Sequence, residues 1–275
     1  MESRGAKLVI RIGAAITLLF LYFPLLIVMI YAFNSSVAQS WPPKGFTTKW
    51  FALAWQDTNM RDSLANSVKI GLVAAAVAVL LGALAAFAVH RYRFFGRETV
   101  SFVLVLPIAL PGIITAMALR SAMNTTGVTF SIWTIMIGHA TFCVVVVFNN
   151  VIARLRRTSG SIVEASMDLG ADGWQTFRHV TLPAIRTALI AGALLAFALS
   201  FDEIIVTNFL SGAELTLPKW IFNAIRLPRN RPVANAVALI VIILSLIPVY
   251  IAQRLVGPDE TAARPTRAMP AVGGE

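Results

Sequence analysis

Charged side chains are scarce in this sequence. Asp, Glu, Lys and Arg make up 13% of its 275 residues, about half of the share that is usual in soluble domains. Hydrophobic residues account for 57%, and the mean hydropathy is +0.76. A soluble fold has too little interior to bury so much apolar sequence. The composition therefore favours a helical membrane protein that crosses the bilayer several times.

Cysteine and histidine are also rare. Cys143 is the single cysteine, which excludes an intrachain disulfide and a cysteine-based zinc site, and we expect it to pack between helices. The three histidines, His90, His139 and His179, form no motif and indicate no metal site. His139 falls inside an apolar stretch. A hydrogen bond between helices is the favoured interpretation there, and a proton-carrying role is the alternative.

A phosphate-binding loop is missing as well. Neither Gly-Lys-Ser nor Gly-Lys-Thr occurs in the chain, although one of these triplets ends the usual ATP-binding motif. We therefore predict that the chain is not an enzyme and holds no cofactor of its own. Any ATP must be bound by another chain.

Six apolar stretches approach the roughly 20 residues that a helix needs to cross a bilayer. They cover residues 12–33, 70–89, 100–119, 132–152, 187–210 and 233–251. Helices are expected because a segment in lipid must satisfy its own backbone hydrogen bonds. The first stretch is too long for a signal-peptide core and is predicted to be retained. The prediction is an all-α polytopic membrane protein, with six transmembrane helices in residues 1–257 and a disordered tail at 258–275.

Two features of these stretches bear on helix shape and packing. Pro107 lies in the third stretch together with Pro111, and prolines permit kinks because they free backbone carbonyls. Small residues lie four apart in the second and fifth stretches, at Gly82 and Ala86 and at Gly192 and Ala196. This spacing predicts close packing of helix backbones.

The net charge of +10 comes largely from short basic runs between the apolar stretches. The N-terminus, the 91–97 loop, the 153–186 loop and the C-terminal tail fall on one side of a six-helix arrangement. Because basic loops stay in the cytoplasm, we predict that this side, with both termini, is cytoplasmic. Such a distribution does not form a surface for nucleic acid. Two outer loops are basic against this rule, and we expect a partner protein to hold them or expect them to fold back toward the pore. Their basic residues are Lys44, Lys49, Arg61, Lys69, Lys219, Arg226, Arg229 and Arg231.

The longest loop on the predicted cytoplasmic side carries two helix signals. Ser161 and Glu164 have the spacing of a capping box, and Gly170 is placed to end the helix that they begin. Asp172 and Gln175 form a second pair of this kind. We predict a short helix, a glycine corner and a second short helix. Such a rigid element suits the transmission of movement from a partner.

Residues 164–183 of this loop resemble the EAA motif of ABC-importer permeases. The motif reads Glu-Ala-Ala, three residues, Gly, and then Ile-x-Leu-Pro after nine residues; here Ser166 replaces the second alanine and Val180 the isoleucine. In that family the loop forms a coupling helix that docks into a cleft on the ATPase subunit. The resemblance implies that the docking residues are Glu164, Ala165, Ser166, Met167, Asp168, Leu169 and Gly170.

Two adjacent acids, Asp202 and Glu203, lie in the second half of the fifth stretch. Acids within a membrane are costly, so they are candidates for function. In the lining of a pathway they would attract a cation, whose methylene groups Phe201 or Trp220 could cover. The alternative is that both acids lie at the water interface and pair with basic residues of the next loop. Because successive helix positions point about 100° apart, we expect one acid to face the lumen.

Nearly the whole chain resembles the second permease subunit of spermidine/putrescine-type ABC importers. Residues 106–112, 200–203 and 217–235 carry this likeness. It implies a bacterial inner-membrane subunit with a six-helix core, which imports a polyamine-like cation by alternating access; import of another small solute is an alternative. It further implies four partner chains. These are a second, homologous permease, two ATPase subunits that bind ATP and Mg, and a periplasmic solute-binding protein that docks on the outer loops.

Two other classes are weighed against this function. An ion-coupled secondary transporter could use Asp202, Glu203 and His139 as its relay, but such transporters commonly contain paired repeats, and no repeat relates the two halves of this chain. A scaffold that only anchors enzymes would leave the capped loop helices and the intramembrane acids without a role.

Overall fold

The computed structural model of the protein describes residues 4–255, which are helical apart from short connections and one isolated bridge between Asn34 and Phe46. The predicted tail at 258–275 lies outside the described residues. The helices are α1 (Arg4–Phe33), α2 (Lys49–Gln56), α3 (Thr58–Arg91), α4 (Arg97–Ala109), α5 (Gly112–Thr125), α6 (Ile132–Arg157), α7 (Gly160–Asp168), α8 (Gly173–Thr176), α9 (Leu182–Asp202), α10 (Ile205–Leu210), α11 (Leu217–Arg226) and α12 (Arg231–Leu255). A π-helical turn, Phe177–Thr181, joins α8 to α9.

Five of the six predicted crossings overlap a long apolar helical segment of the structure. The segments Gly5–Phe33, Thr58–Arg91, Ile132–Arg157, Gly173–Asp202 and Pro228–Ile247 are long and apolar enough to cross a membrane. The polytopic all-α prediction is therefore confirmed, with a count of six helices that is only approximate.

The third crossing was predicted to be one helix, but the structure has two short helices there. Helix α4 has 13 residues and α5 has 14, and between them Leu110 is extended at φ −83°, ψ 144°. Pro111 explains the break, because a proline disfavours helical backbone in the residue before it. Arg120 joins α5 to α10, because its Nη1 atom donates to the carbonyl of Phe209 at 2.7 Å.

Helices α3, α6 and α9 form the core of the bundle and approach one another closely. A Cβ atom at Gly82 would lie 2.7 Å from the carbonyl oxygen of Val144, and one at Gly192 would lie 3.3 Å from the Cα atom of Val147. The thiol of Cys143 is buried and lies 3.3 Å from the carbonyl oxygen of Ala196. These contacts confirm the packing role predicted for both small-residue pairs and for the cysteine.

The bundle has two ends, which we name by what they carry. The loop end carries α7 and α8, together with the basic last turns of α3 and α6. The far end carries α2, α10 and α11. Helix α1 lies at the periphery, where it packs on α12 and leaves most of its side chains exposed.

Candidate functional sites at the two ends of the bundle

The loop end projects a helix, a glycine corner and a second helix, as the sequence predicts. Helix α7 ends where Gly170 takes a left-handed conformation at φ +87°. The Gly170 N–H donates to the carbonyl of Met167 at 2.9 Å, and the next N–H, of Ala171, donates to that of Ser166 at 3.2 Å. Glycine suits this corner because a Cβ atom would be strained at positive φ.

One of the two predicted capping boxes in this loop is confirmed and the other is wrong. The Asp172 carboxylate accepts from the Gln175 N–H at 2.7 Å, and the Gln175 side chain accepts from the Asp172 N–H at 2.9 Å. Helix α7, however, begins at Gly160, with Ser159 at its N-cap position. Ser161 therefore lies inside the first turn, where its hydroxyl lies 2.6 Å from that of Ser159 and cannot cap with Glu164.

The seven residues predicted for docking form the outer surface of α7 and the corner. Six of them are exposed, and Leu169 is 90% exposed. Ser166 is the exception, since it is half-buried and its hydroxyl lies 3.2 Å from that of Thr176. Ile162 and Trp174 add further exposed apolar surface. An exposed apolar surface of this kind is typical of contact with another protein.

Aromatic contacts fix this exposed surface to the bundle. Trp174 stacks on Phe177 with ring centroids 5.6 Å apart, and Phe177 meets Phe87 of α3 edge-on at 5.5 Å. The Arg154 Nε atom of α6 also donates to the carbonyl of Ala184 at 2.9 Å. These contacts join the loop to α3 and tie α6 to the start of α9.

The far end is covered by two short helices that arise from the basic outer loops. Trp50 of α2 is buried and donates its indole N–H to the carbonyl of Asn34 at 2.7 Å. Trp220 of α11 is buried in a cluster with Met60 and Leu217. Both basic segments therefore pack back onto this chain. The Trp220 ring is packed in this cluster. Its role in the pathway stays a prediction.

The basic side chains of α11 have partners of their own. Lys219 donates from Nζ to the Ser211 hydroxyl at 2.6 Å, and the Arg226 guanidinium lies 4.1 Å from the centre of the Phe222 ring. Burial lowers the pKa of Lys219, and the Glu214 carboxylate opposes this effect. These contacts do not involve the two acids of the fifth crossing.

The fifth crossing is broken at those two acids, whereas the sequence predicted a continuous apolar stretch to residue 210. Helix α9 ends at Asp202, Glu203 is extended at φ −74°, ψ 109°, and α10 begins at Ile205. The Glu203 Oε1 atom accepts from the Val206 N–H at 2.9 Å. A carboxylate that bonds to nearby backbone in this way competes with the helix. Asp202 is exposed, and Phe201 is half-buried with its ring 5.8 Å from that of Phe197.

A buried histidine joins the two sides of this break. His139 of α6 places Nδ1 2.8 Å from the Ser200 hydroxyl and Nε2 3.0 Å from the Thr207 hydroxyl. The predicted hydrogen bond between helices is therefore confirmed. Ser200 and Thr207 were missed by sequence reasoning, although the two hydroxyl residues flank the acids at a separation of seven residues.

Solved structures show the same fold. A chain of a bacterial ABC transporter involved in the import of the acidic polysaccharide alginate superposes with a TM-score of 0.72 at 18% identity, over 94% of this chain and 99% of that chain. A chain of the MetNI methionine ABC transporter, in an inward-facing conformation, superposes with a TM-score of 0.59 at 17% identity, over 76% and 97% of the two chains.

Curated relatives are more similar in sequence. The Spermidine/putrescine transport system permease protein PotC of Escherichia coli K12 is 34% identical over 88% of this chain and 91% of its own length. The Putrescine transport system permease protein PotI of the same strain is 36% identical over 81% and 82%. Residues 78–261 also match the family described as binding-protein-dependent transport system inner membrane component. This chain therefore belongs to the family of binding-protein-dependent transport system inner membrane components.

Proposed function

We propose that this chain is a permease subunit of an ATP-driven importer of polyamines such as putrescine and spermidine. The observation that carries the proposal is the identity of 34–36% to polyamine permeases over at least four fifths of both chains. The chain would lie in a bacterial inner membrane and move the solute into the cytoplasm by alternating access.

In this proposal the solute meets the chain at the broken fifth crossing. Asp202 is an exposed acid at the break, next to the half-buried ring of Phe201. Polyamines carry ammonium groups on apolar methylene chains, so a carboxylate beside an aromatic face matches both parts. In this proposal Asp202 meets an ammonium group, Phe201 packs on methylenes, Glu203 holds the break and Trp220 supports the far-end helices.

The loop end is proposed to face the cytoplasm and to bind the ATPase. The last turns of α3 and α6 carry His90 and Arg91, and Arg154, Arg156 and Arg157. Such basic residues favour the cytoplasmic side. The exposed residues from Glu164 to Gly170 would then dock on one of two ATPase subunits, which bind ATP and Mg. A second, homologous permease completes the membrane part, and a periplasmic solute-binding protein docks at the far end on α2 and α11.

Initial uptake of labelled putrescine and spermidine tests the proposal. Cells that carry the gene for this chain are compared with cells that lack it, with ATP depleted in one arm and the proton gradient collapsed in another. We expect uptake to be lost on deletion and on ATP depletion but retained when the gradient collapses. Dependence on the gradient alone would instead indicate an ion-coupled transporter, and uptake that is unchanged on deletion would overturn the polyamine assignment. Uptake of a neutral amino acid is the control for the energy state of the cells.

A further inference from the structure

His139 is the buried group that connects the two halves of the broken fifth crossing. Its side chain is 1% exposed, and both ring nitrogens meet hydroxyls that are themselves buried. Ser200 belongs to the last turn of α9, and Thr207 belongs to α10. One side chain from α6 thus holds the helix end before the acids and the helix start after them.

The direction of these hydrogen bonds follows from the third partner of Thr207. The Thr207 hydroxyl donates to the carbonyl oxygen of Glu203 at 2.8 Å, so its one hydrogen is committed there. It must accept from His139, which places a hydrogen on Nε2. A charged imidazolium without a carboxylate partner would be costly in this buried site, so Nδ1 is unprotonated and accepts from the Ser200 hydroxyl. Three successive hydrogen bonds therefore run in one direction, from Ser200 to His139, from His139 to Thr207 and from Thr207 to the Glu203 carbonyl.

Other contacts attach α10 to α6 on both sides of these hydrogen bonds. The Thr134 hydroxyl lies 2.7 Å from the carbonyl oxygen of Leu210. At Gly138 a Cβ atom would meet the side chains of Leu210 and Val206, so α10 packs directly against α6 at this glycine. Several contacts therefore hold α10 against α6. The last turn of α9 is joined to α6 by the hydrogen bond between His139 and the Ser200 hydroxyl.

We infer that His139 is a positioning residue for the acid pair. It sets the angle between α9 and α10, and so the exposure of the Asp202 carboxylate, without touching the solute itself. This inference rests on the proposed function for its effect on uptake, because the site that it positions is the proposed cation site. The geometric part, that His139 controls the exposure of position 202, can be tested without transport.

Thiol labelling tests the geometric part. Asp202→Cys is introduced with Cys143→Ala in the full chain, in membranes that contain the assembled transporter, and its reaction with a charged, membrane-impermeant thiol reagent is timed. We expect His139→Phe and Thr207→Val to change the labelling rate by about tenfold, since loss of a buried hydrogen bond opens the local structure. His139→Gln, which can accept from Ser200 and donate to Thr207, should stay within about twofold of the parent rate.

A second reporter separates this effect from general damage. Ala213 is exposed in the bend that follows α10, and the Thr134 contact with Leu210 holds that end of α10 to α6 without His139, so Ala213→Cys serves as this reporter. Its labelling should not respond to His139→Phe. Thr207→Val keeps the volume of the side chain and covers the case in which His139→Phe fails to assemble. An unchanged rate at position 202 in both variants would overturn the inference, as would equal changes at positions 202 and 213.

Uptake kinetics supply the functional part, with Asp202 intact. We expect His139→Phe to raise the KM for putrescine by about tenfold while kcat changes less, and His139→Gln to restore the KM. A purely structural role would lower the amount of assembled protein and the maximal rate at constant KM, which would overturn the inference. If labelling at 202 shifts but the unmodified transporter takes up no polyamine, the proposed function fails and the geometric inference stands.

Discussion

The Oε1 atom of Glu203 accepts a hydrogen bond from the backbone N–H of Val206 at 2.9 Å, so this acid caps the helix that follows it. Its neighbour Asp202 ends the preceding helix and is exposed. Two acids that are adjacent in the sequence therefore have different surroundings. The Glu203 carboxylate accepts a backbone hydrogen bond at the break in the fifth crossing, and Asp202 is exposed beside it.

This difference predicts unequal effects of neutralising the two acids. Asp202→Asn should raise the KM for putrescine about tenfold or more, because the loss of one charged contact worth about 1.4 kcal/mol is a tenfold loss of affinity. Glu203→Gln keeps an oxygen that can accept from Val206 and should change the KM less than threefold. Initial uptake rates over a range of putrescine concentrations measure both. Equal increases in KM would contradict the assignment of separate roles.

The exposed apolar tip of the loop end predicts a specific loss of ATPase binding. Leu169→Ser should weaken copurification of the chain with its ATPase by about tenfold to a hundredfold, because burying a leucine is worth about 1.5–3 kcal/mol. The melting temperature of the chain alone should not change, since Leu169 is 90% exposed. Arg178→Ala, at an exposed position in the turn after α8, is the matched control and should bind normally. Normal binding by Leu169→Ser would exclude this corner as the contact.

The parts of the fold that depend on neighbouring residues could be predicted from the sequence. Long apolar runs predict crossings because the bilayer sets their length. The corner at Gly170 and the box at Asp172 and Gln175 are local, since each needs only residues within one turn. The error at Ser161 shows the limit of this reasoning. A serine three residues before a glutamate can equally lie inside the first turn of a helix that begins earlier.

The breaks and the far-end helices could not be predicted in the same way. Whether Pro111 bends a helix or ends it depends on what the two halves pack against. Helices α2 and α11 have 8 and 10 residues, too few for a hydropathy window, and their buried tryptophans are held by contacts with distant residues. His139 lies 61 positions before Ser200 and 68 before Thr207 in the sequence, so no local pattern indicates these hydrogen bonds.

The close approach of α3 and α6 predicts that a side chain at position 82 destabilises the bundle. Gly82→Ala would place a Cβ atom 2.7 Å from the carbonyl oxygen of Val144 and force the two helices apart. Overpacking of this kind costs about 1–3 kcal/mol, so the melting temperature in detergent should fall by several degrees. Gly13→Ala is the matched control, because a Cβ atom at Gly13 meets nothing within 4 Å. The control should be neutral or slightly stabilising, and a similar fall in both variants would contradict the packing argument.

The left-handed corner at Gly170 predicts a graded response to side chains. Gly170→Ala must adopt φ +87° against a cost of about 1–2 kcal/mol, whereas Gly170→Asn should cost less because asparagine tolerates this region better. Amide hydrogen exchange across residues 165–172 should be fastest in the alanine variant and intermediate in the asparagine variant. Gly160→Ala is the control, since Gly160 begins α7 with no atom within 4 Å of a Cβ and no positive φ. If the corner transmits movement, stimulation of the ATPase by solute should be weakest in the alanine variant and intermediate in the asparagine variant. Full stimulation in a variant with faster exchange would show that coupling does not need a rigid corner.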